Sequence, residues 1–299
     1  MEQKITINYR LLDIQEINMK FYEDEPVSLY LNNLTKINSY QSLKQQVDLL
    51  NHPWLGKILI INGEIQHVEK YQTLYHELLV HLPAAFVPNI RKVLVLGGGS
   101  LFAAHEVLKY PTVESVTLCD YDHSILDLMS EHYSHAKIVL QDPRFHYVES
   151  EGKSFVKGLN TKYDLIINDC FNLAEISNKE NISYYRLLSN LCSADGVCVD
   201  IIYRHIFDQQ VTIDTLSYLK KENRLAMSLV VVPEYPGILH IETIWGNSSY
   251  ISQDTKNTIN LFQKEIIAKN LFSPYKFYSP ENLGFYLYLP PYIKEKFNI

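Results

Sequence analysis

The alternation of apolar and polar positions changes period along the chain. Residues 1–70 read as short strands and turns: Tyr40-Gln41-Ser42-Leu43 is one such piece, and Lys57-Ile58-Leu59-Ile60-Ile61 runs into Asn62-Gly63. An Asn-Gly pair between apolar runs predicts a tight hairpin, because both residues accept the positive φ of a two-residue loop. From about residue 72 the spacing becomes helical. Leu74, Leu78, Leu79 and Leu82 fit one helix, and Pro83 and Pro88 punctuate its end.

Strands and helices then alternate. The pattern predicts strands at 92–96, 116–120, 145–148, 163–169, 196–202, 226–232 and 240–245. It predicts helices at 101–110, 124–133, 155–159, 184–191 and 212–222. Near-continuous apolar strands between helices specify a mostly parallel sheet covered on both faces. The last fifty residues form a helical, Tyr- and Pro-rich tail with no assigned place. The expected fold is therefore α/β: an N-terminal β domain over 1–70, then a doubly wound sheet with its helical tail over 71–299.

Composition narrows the class. With 46% hydrophobic and 20% charged residues among 299, the chain has the apolar content for a sizeable core. That excludes a disordered, collagen-like or coiled-coil protein. A net charge of −7 makes it a poor partner for DNA or anionic lipid. No apolar run approaches the ~18–20 residues of a membrane span. The opening MEQKITINYR has no apolar segment behind a basic patch, so a cytoplasmic protein is expected. Cys119, Cys170, Cys192 and Cys198 form no Cys-x-x-Cys pair and are expected as reduced thiols.

In an open α/β sheet, ligands bind beyond the carboxyl ends of the strands. The turn after the first strand of the sheet is Gly97-Gly98-Gly99-Ser100, and the next strand ends in Asp120. Glycines admit close approach of the backbone to a ligand, and an acid at that distance is placed to accept from a ribose hydroxyl. A dinucleotide fingerprint also needs glycine at position 102, which is Phe102. The loop therefore favours S-adenosylmethionine (SAM) or a relative over a nucleotide. A simple tight turn is the remaining reading.

In this order the landmarks resemble one family, the polyamine aminopropyltransferases typified by spermidine synthase. The resemblance runs from about Ser39 to Gly246. It includes Ser39-Tyr40-Gln41, Gly56-Lys57-Ile58-Leu59, Asn62-Gly63-Glu64-Ile65-Gln66 and Tyr75-His76-Glu77-Leu78-Leu79-Val80-His81. Gly97-Gly98-Gly99, Asp142-Pro143-Arg144, Asp164 to Asp169 and Pro233-Glu234-Tyr235-Pro236-Gly237 follow. The resemblance implies a SAM-methyltransferase-like sheet, a homodimer or homotetramer, and decarboxylated SAM as donor of an aminopropyl group with release of methylthioadenosine.

Roles carry over by position as implications of that resemblance. Gln41 and Gln66 would line the adenosyl cleft, and Gly97, Gly98 and Gly99 would cradle the donor. Asp120 resembles the ribose-binding acid, and Glu151-Gly152 the pair that reads adenine. Tyr75 and His76 would line the channel. Asp169 resembles the proposed general base, and Tyr235 the Tyr that closes over the acceptor.

Two departures change the expectation. Where the family reads Gly-Gly-Gly-Asp-Gly-Gly, this chain has Ser100, Leu101 and Phe102 after its glycines. The missing Asp would repel the carboxylate of intact SAM. At ~4 Å two like charges cost about 1 kcal/mol in water and about 4 at an effective dielectric of ~20. The donor is therefore expected to be SAM itself, with a 3-amino-3-carboxypropyl group moved, against aminopropyl transfer in the parent pattern. The acceptor loop reads Asp169-Cys170-Phe171-Asn172 where the family has Asp-Ser-Ser-Asp. A carboxylate is lost, so an acceptor other than putrescine is expected: a small molecule, or a peptide or nucleotide natural product of the microcin type. Methyl transfer from SAM, cleavage or cyclisation of SAM without an acceptor, and adenosyl binding without catalysis are the alternatives.

His76 and His81 are five apart and do not share a helix face, so no metal is expected. Glu131 to His135 reads as a solvated helix end, as does Tyr218 to Glu222. Cys170 reads as a small liner of the cleft. The aromatic stretch Tyr275 to Tyr292 reads as packing or an oligomer contact, with a substrate lid as the alternative.

Overall fold

The computed structural model describes residues 17–21, 28–170, 178–203, 210–235, 240–254 and 259–298. The chain divides into two compact units, Met1–Gln72 with Val232–Gly237, and Thr73–Val231 with Ile238–Ile299.

The first unit holds a five-stranded antiparallel sheet in sequence order: β1 (Ile17–Phe21), β2 (Leu29–Gln41), β3 (Gln46–His52), β4 (Gly56–Ile61) and β5 (Glu64–Val68). The predicted hairpin joins β4 to β5, with Asn62 at φ 52° and Gly63 at φ 83°. Leu34, Leu50, Ile58, Ile60 and Ile65 fill its core. Two local expectations need correction. The strand containing Tyr40 and Gln41 is not short but thirteen residues long, and it stops at Gln41. Ser42 is a turn residue whose hydroxyl accepts from the N–H groups of Lys44 and Gln45. The strand is hard to read because only Leu31 and Leu34 are buried in it, and Asn, Thr, Lys and Ser interrupt its remaining apolar positions.

The second unit is built on a seven-stranded mixed sheet. Its elements in chain order are α1 (Gln72–Ala84), β6 (Lys92–Gly97), α2 (Phe102–Leu108), β7 (Ser115–Asp120), α3 (His123–His132), α4 (Ser134–Gln141), β8 (Phe145–Glu149) and α5 (Gly152–Lys157). There follow β9 (Tyr163–Asp169), α6 (Asn178–Leu191), β10 (Cys192–Tyr203), α7 (Gln210–Glu222), β11 (Arg224–Val230) and β12 (His240–Gly246). The strand order is β11-β12-β10-β9-β6-β7-β8. The run from β10 to β8 is parallel, and β12 is antiparallel to both of its neighbours. Leu94 and Leu96 point into a cluster with Tyr184, Leu188 and Leu216 from α6 and α7. Val93 and Val95 are equally buried and, by strand alternation, serve the opposite face.

Helix α4 was not foreseen as a separate element. Tyr133 adopts extended dihedrals and breaks the helical stretch after His132, so that Ser134 begins a second helix. The tail forms α8 (Leu261–Ala268), α9 (Leu283–Tyr286) and α10 (Pro291–Phe297). It is anchored on α1 by a buried acid. The Glu77 carboxylate accepts from the backbone N–H groups of Lys276 at 2.8 Å, Phe277 at 2.6 Å and Tyr278 at 2.7 Å. Gln263 donates to the His81 carbonyl and the Tyr110 hydroxyl, and accepts from Tyr278. Among the described residues, no helix is long and apolar enough to cross a membrane.

Candidate active site

Strand β6 delivers Gly97 beside Asp169, its register partner at the end of β9. Gly97 and Gly98 have φ of 74° and 71°. A Cβ on Gly97 would lie 2.7 Å from the Asp169 carbonyl oxygen, and one on Gly99 would lie 3.0 Å from Asp120 Oδ2. Glycine is thus required twice over, by dihedral and by space. Leu101 N–H closes the turn onto the Gly98 carbonyl at 2.8 Å. Leu101 itself is fully buried at φ 65°, a left-handed conformation that costs a branched side chain about 1 kcal/mol.

Acids gather at the carboxyl ends of these strands. Asp120 closes β7. Its Oδ2 accepts from Gly99 N–H at 3.1 Å and its Oδ1 from Asp122 N–H at 3.0 Å. Burial raises its carboxyl above the usual range in spite of those two bonds. Glu151 follows β8 and caps α5, accepting from the N–H groups of Lys153 and Ser154. Burial raises its carboxyl, but the bonds from Ser154 and Lys153 outweigh that, and the group lies below its ordinary value. Gly152 begins α5, and a Cβ there would meet Cys170 Sγ at 3.5 Å.

Asp169 ends β9. Its Oδ1 accepts from the Tyr75 hydroxyl at 2.6 Å, and its Oδ2 lies 3.5 Å from where a Cβ on Gly98 would stand. Beneath it runs a buried polar network that the sequence reading missed. Asn168 donates to Asp200 Oδ2 at 2.6 Å and accepts from Tyr184 at 2.6 Å, while Tyr185 donates to the same Asp200 oxygen at 2.7 Å. The Cys170 thiol donates to Asn168 Oδ1 at 3.6 Å. Desolvation, then the carboxylates of Asp200, Asp169 and Asp120, push that thiol well above its ordinary value.

A column of rings stands behind the glycine turn. Tyr75 meets His76 edge-on at 4.9 Å, His76 lies 5.0 Å from Phe102, and Phe102 stacks on His135 at 3.7 Å and 22°. The expectation of a solvated helix end at Glu131–His135 is therefore wrong for His135. Its ring is packed, and its Nε2 lies 3.0 Å from the Ser100 carbonyl. Burial lowers its pKa to about 4. Since a carbonyl only accepts, the neutral ring carries its proton on Nε2.

The remaining predicted residues belong to the first unit. Gln66 is exposed on β5, and Gln41 ends β2 with its side chain donating to the Ser42 carbonyl. The Tyr235 hydroxyl donates to the carbonyl of Ile65, next to Gln66 in the chain, at 2.9 Å. Burial of its neighbour Glu234 pushes that carboxyl up to about 7. Phe171 and Asn172 lie outside the described residues.

Other candidates have structural partners. His81 faces the Tyr110 hydroxyl at 3.0 Å and Glu106 at 2.9 Å. Cys192 and Cys198 are buried with their sulfurs 3.3 Å apart. Lys220, on an exposed stretch of α7, donates to the Asn298 carbonyl.

Comparison with known proteins places the fold and the family. Putrescine N-methyltransferase 2 of Nicotiana tabacum is 29% identical over 246 residues, covering 79% of this chain and 68% of that protein. A polyamine aminopropyltransferase of Lachnoclostridium phytofermentans is 36% identical over 132 residues, covering 44% of this chain and about half, 47%, of that one. The fold of the spermidine synthase of Thermotoga maritima superposes with a TM-score of 0.79 at 24% identity, covering all of this chain and 98% of the other. The sequence pattern of the spermine/spermidine synthase domain matches residues 72–256, more than half of the chain, which belongs to that family.

Proposed function

We propose that this chain is an alkyl transferase. It moves the 3-amino-3-carboxypropyl group of SAM, or the aminopropyl group of its decarboxylated form, to a nucleophilic acceptor and releases methylthioadenosine. The observation that carries the reading is the 2.6 Å bond from Tyr75 to Asp169 beside the glycine turn. In the reaction the carbon–sulfur bond of the sulfonium breaks and a bond from acceptor to carbon forms. The electron pair of the broken bond stays on sulfur as a neutral thioether. The proton shed by the acceptor passes to Asp169, which Tyr75 holds in a fixed orientation.

Asp120, Asp169 and Glu151 stand at the strand ends, with Asp200 buried beneath them, and this negative charge favours a cationic sulfonium and repels a phosphate. Ser100 in place of an acid supports SAM as donor. Asn172 in place of an acid supports an acceptor other than putrescine, such as a peptide or nucleotide product. On this reading the enzyme works in the cytoplasm as a homodimer or homotetramer.

Methyl transfer is the second reading, favoured by the match to a putrescine N-methyltransferase over 79% of this chain. Mass spectrometry of the adenosyl product separates the two. The protein is incubated with SAM or decarboxylated SAM and an amine or extract as acceptor. Methylthioadenosine together with the matching mass gain on an acceptor supports the first reading. S-adenosylhomocysteine replaces it with methyl transfer.

A further inference from the structure

We propose that His135 is a positioning residue for the donor: through its Nε2–H it holds the Ser100 peptide, and with it the glycine turn, in the conformation that receives the adenosyl group. The inference rests on the reading of that turn as the donor cradle.

The turn is a poor candidate for standing alone. Gly97 and Gly98 lie in the left-handed region, and Leu101 joins them at φ 65° with no side-chain cap on α2. One backbone bond, Leu101 N–H to the Gly98 carbonyl, closes it from inside. The peptide between Ser100 and Leu101 must be held in one orientation for Leu101 to stay left-handed. The Nε2–H of His135 supplies that hold at 3.0 Å from outside the turn.

His135 is itself fixed. It stacks on Phe102 at 3.7 Å, and meets Tyr133 at 5.6 Å and His105 at 5.8 Å edge-on. Phe102 is the second residue after Ser100 and also contacts His76, the neighbour of Tyr75. The ring therefore does two separable things. Its face supports Phe102, which serves packing. Its N–H fixes the Ser100 carbonyl, which serves the ligand.

Two variants separate these roles. His135→Phe keeps a flat ring against Phe102 and removes the N–H. His135→Gln loses the stack but offers an amide N–H at about the reach of Nε2. Titration calorimetry with SAM and with methylthioadenosine, alongside urea unfolding of each protein, gives affinity and stability independently. In His135→Phe, affinity falls about five- to ten-fold, the worth of one hydrogen bond, while the unfolding midpoint falls less than in His135→Gln because the stack on Phe102 is kept. In His135→Gln, affinity recovers to within about three-fold although the midpoint drops, because stacking and not hydrogen bonding was lost. A merely structural histidine would make affinity and stability fall together across both variants, and that result overturns the assignment. So does wild-type affinity in His135→Phe. If the wild-type protein binds neither compound, the donor-cradle reading fails, and this inference fails with it. The wild-type titration alone therefore tells the two failures apart.

Discussion

The Tyr75 hydroxyl donates to Asp169 Oδ1 over 2.6 Å, joining α1 to the end of β9 across 94 residues of sequence. A carboxylate held this way presents its second oxygen in a defined direction. That oxygen is the one near Gly98. Asp169→Asn keeps the size of the group and removes its ability to take a proton. Product formation is expected to fall by about 10²–10⁴-fold, with donor affinity changed only a few-fold. Tyr75→Phe leaves the base in place but frees its orientation, and a loss of about ten-fold is expected. Single-turnover rates with saturating donor decide it. Transfer by Asp169→Asn at close to the wild-type rate removes Asp169 from the role of base.

Donor choice is testable at one position. Ser100→Asp puts a carboxylate on the turn that would face the carboxylate of SAM. The ratio of affinities, decarboxylated SAM over SAM, should rise by about five- to a thousand-fold, the range set by ~1–4 kcal/mol of like-charge repulsion. Competition binding of the two compounds measures that ratio directly. An unchanged ratio means the turn takes no part in selecting the donor.

Features that one stretch of chain must satisfy alone were legible before the structure. Asn62-Gly63 signals a hairpin because few residues accept its dihedrals, and Gly97 announces a close backbone approach for the same reason. Asp169 was legible as the last residue of an apolar strand. The rest depends on partners that sequence spacing does not relate. His135 reads as a solvated helix end until Tyr133 breaks the helix and turns its ring onto Phe102, with its N–H to Ser100, 35 residues back. Asn168, Asp200, Tyr184 and Tyr185 look like ordinary strand and helix residues, and only the parallel pairing of β9 with β10 closes their network. Strand β2 was hidden because a sheet with few buried positions on one strand leaves that strand polar.

The tail offers a stability test away from the turn. Glu77 is 1% exposed and accepts three backbone N–H groups from residues 276–278. Glu77→Gln turns part of an acceptor into a donor and leaves N–H groups without a charged partner. A loss of about 2–4 kcal/mol is expected in urea unfolding, with faster proteolysis beyond residue 270. Glu281→Gln, on an exposed residue, is the control and should stay within ~0.5 kcal/mol of wild type. Equal stability of the two variants would mean that the tail is held by its aromatic packing instead.

Glu242 gives the clearest pH dependence. It lies on β12, opposite Ile201 on β10 and Ser228 on β11, and is wholly buried. Neither carboxyl oxygen has a hydrogen-bond partner among the described residues. The Tyr278 phenol, its own pKa raised chiefly by burial, is near enough to feel the charge of Glu242. Burial pushes the Glu242 carboxyl up to about 8 from an ordinary 4.5. Between those two values the folded chain keeps a proton that the unfolded chain has released. The native state then binds more protons than the unfolded state, so this group makes stability fall as pH rises from about 4.5 to 8, and its full penalty stands above 8. Glu242→Gln is neutral at every pH and has no such slope. At pH 5 its unfolding free energy should match wild type within about 1 kcal/mol, and at pH 8.5 it should exceed wild type by roughly 4–5 kcal/mol. Urea titrations at pH 5, 7 and 8.5 read this out, and parallel pH curves for the two proteins would mean that the Glu242 carboxyl titrates at the same pH folded and unfolded.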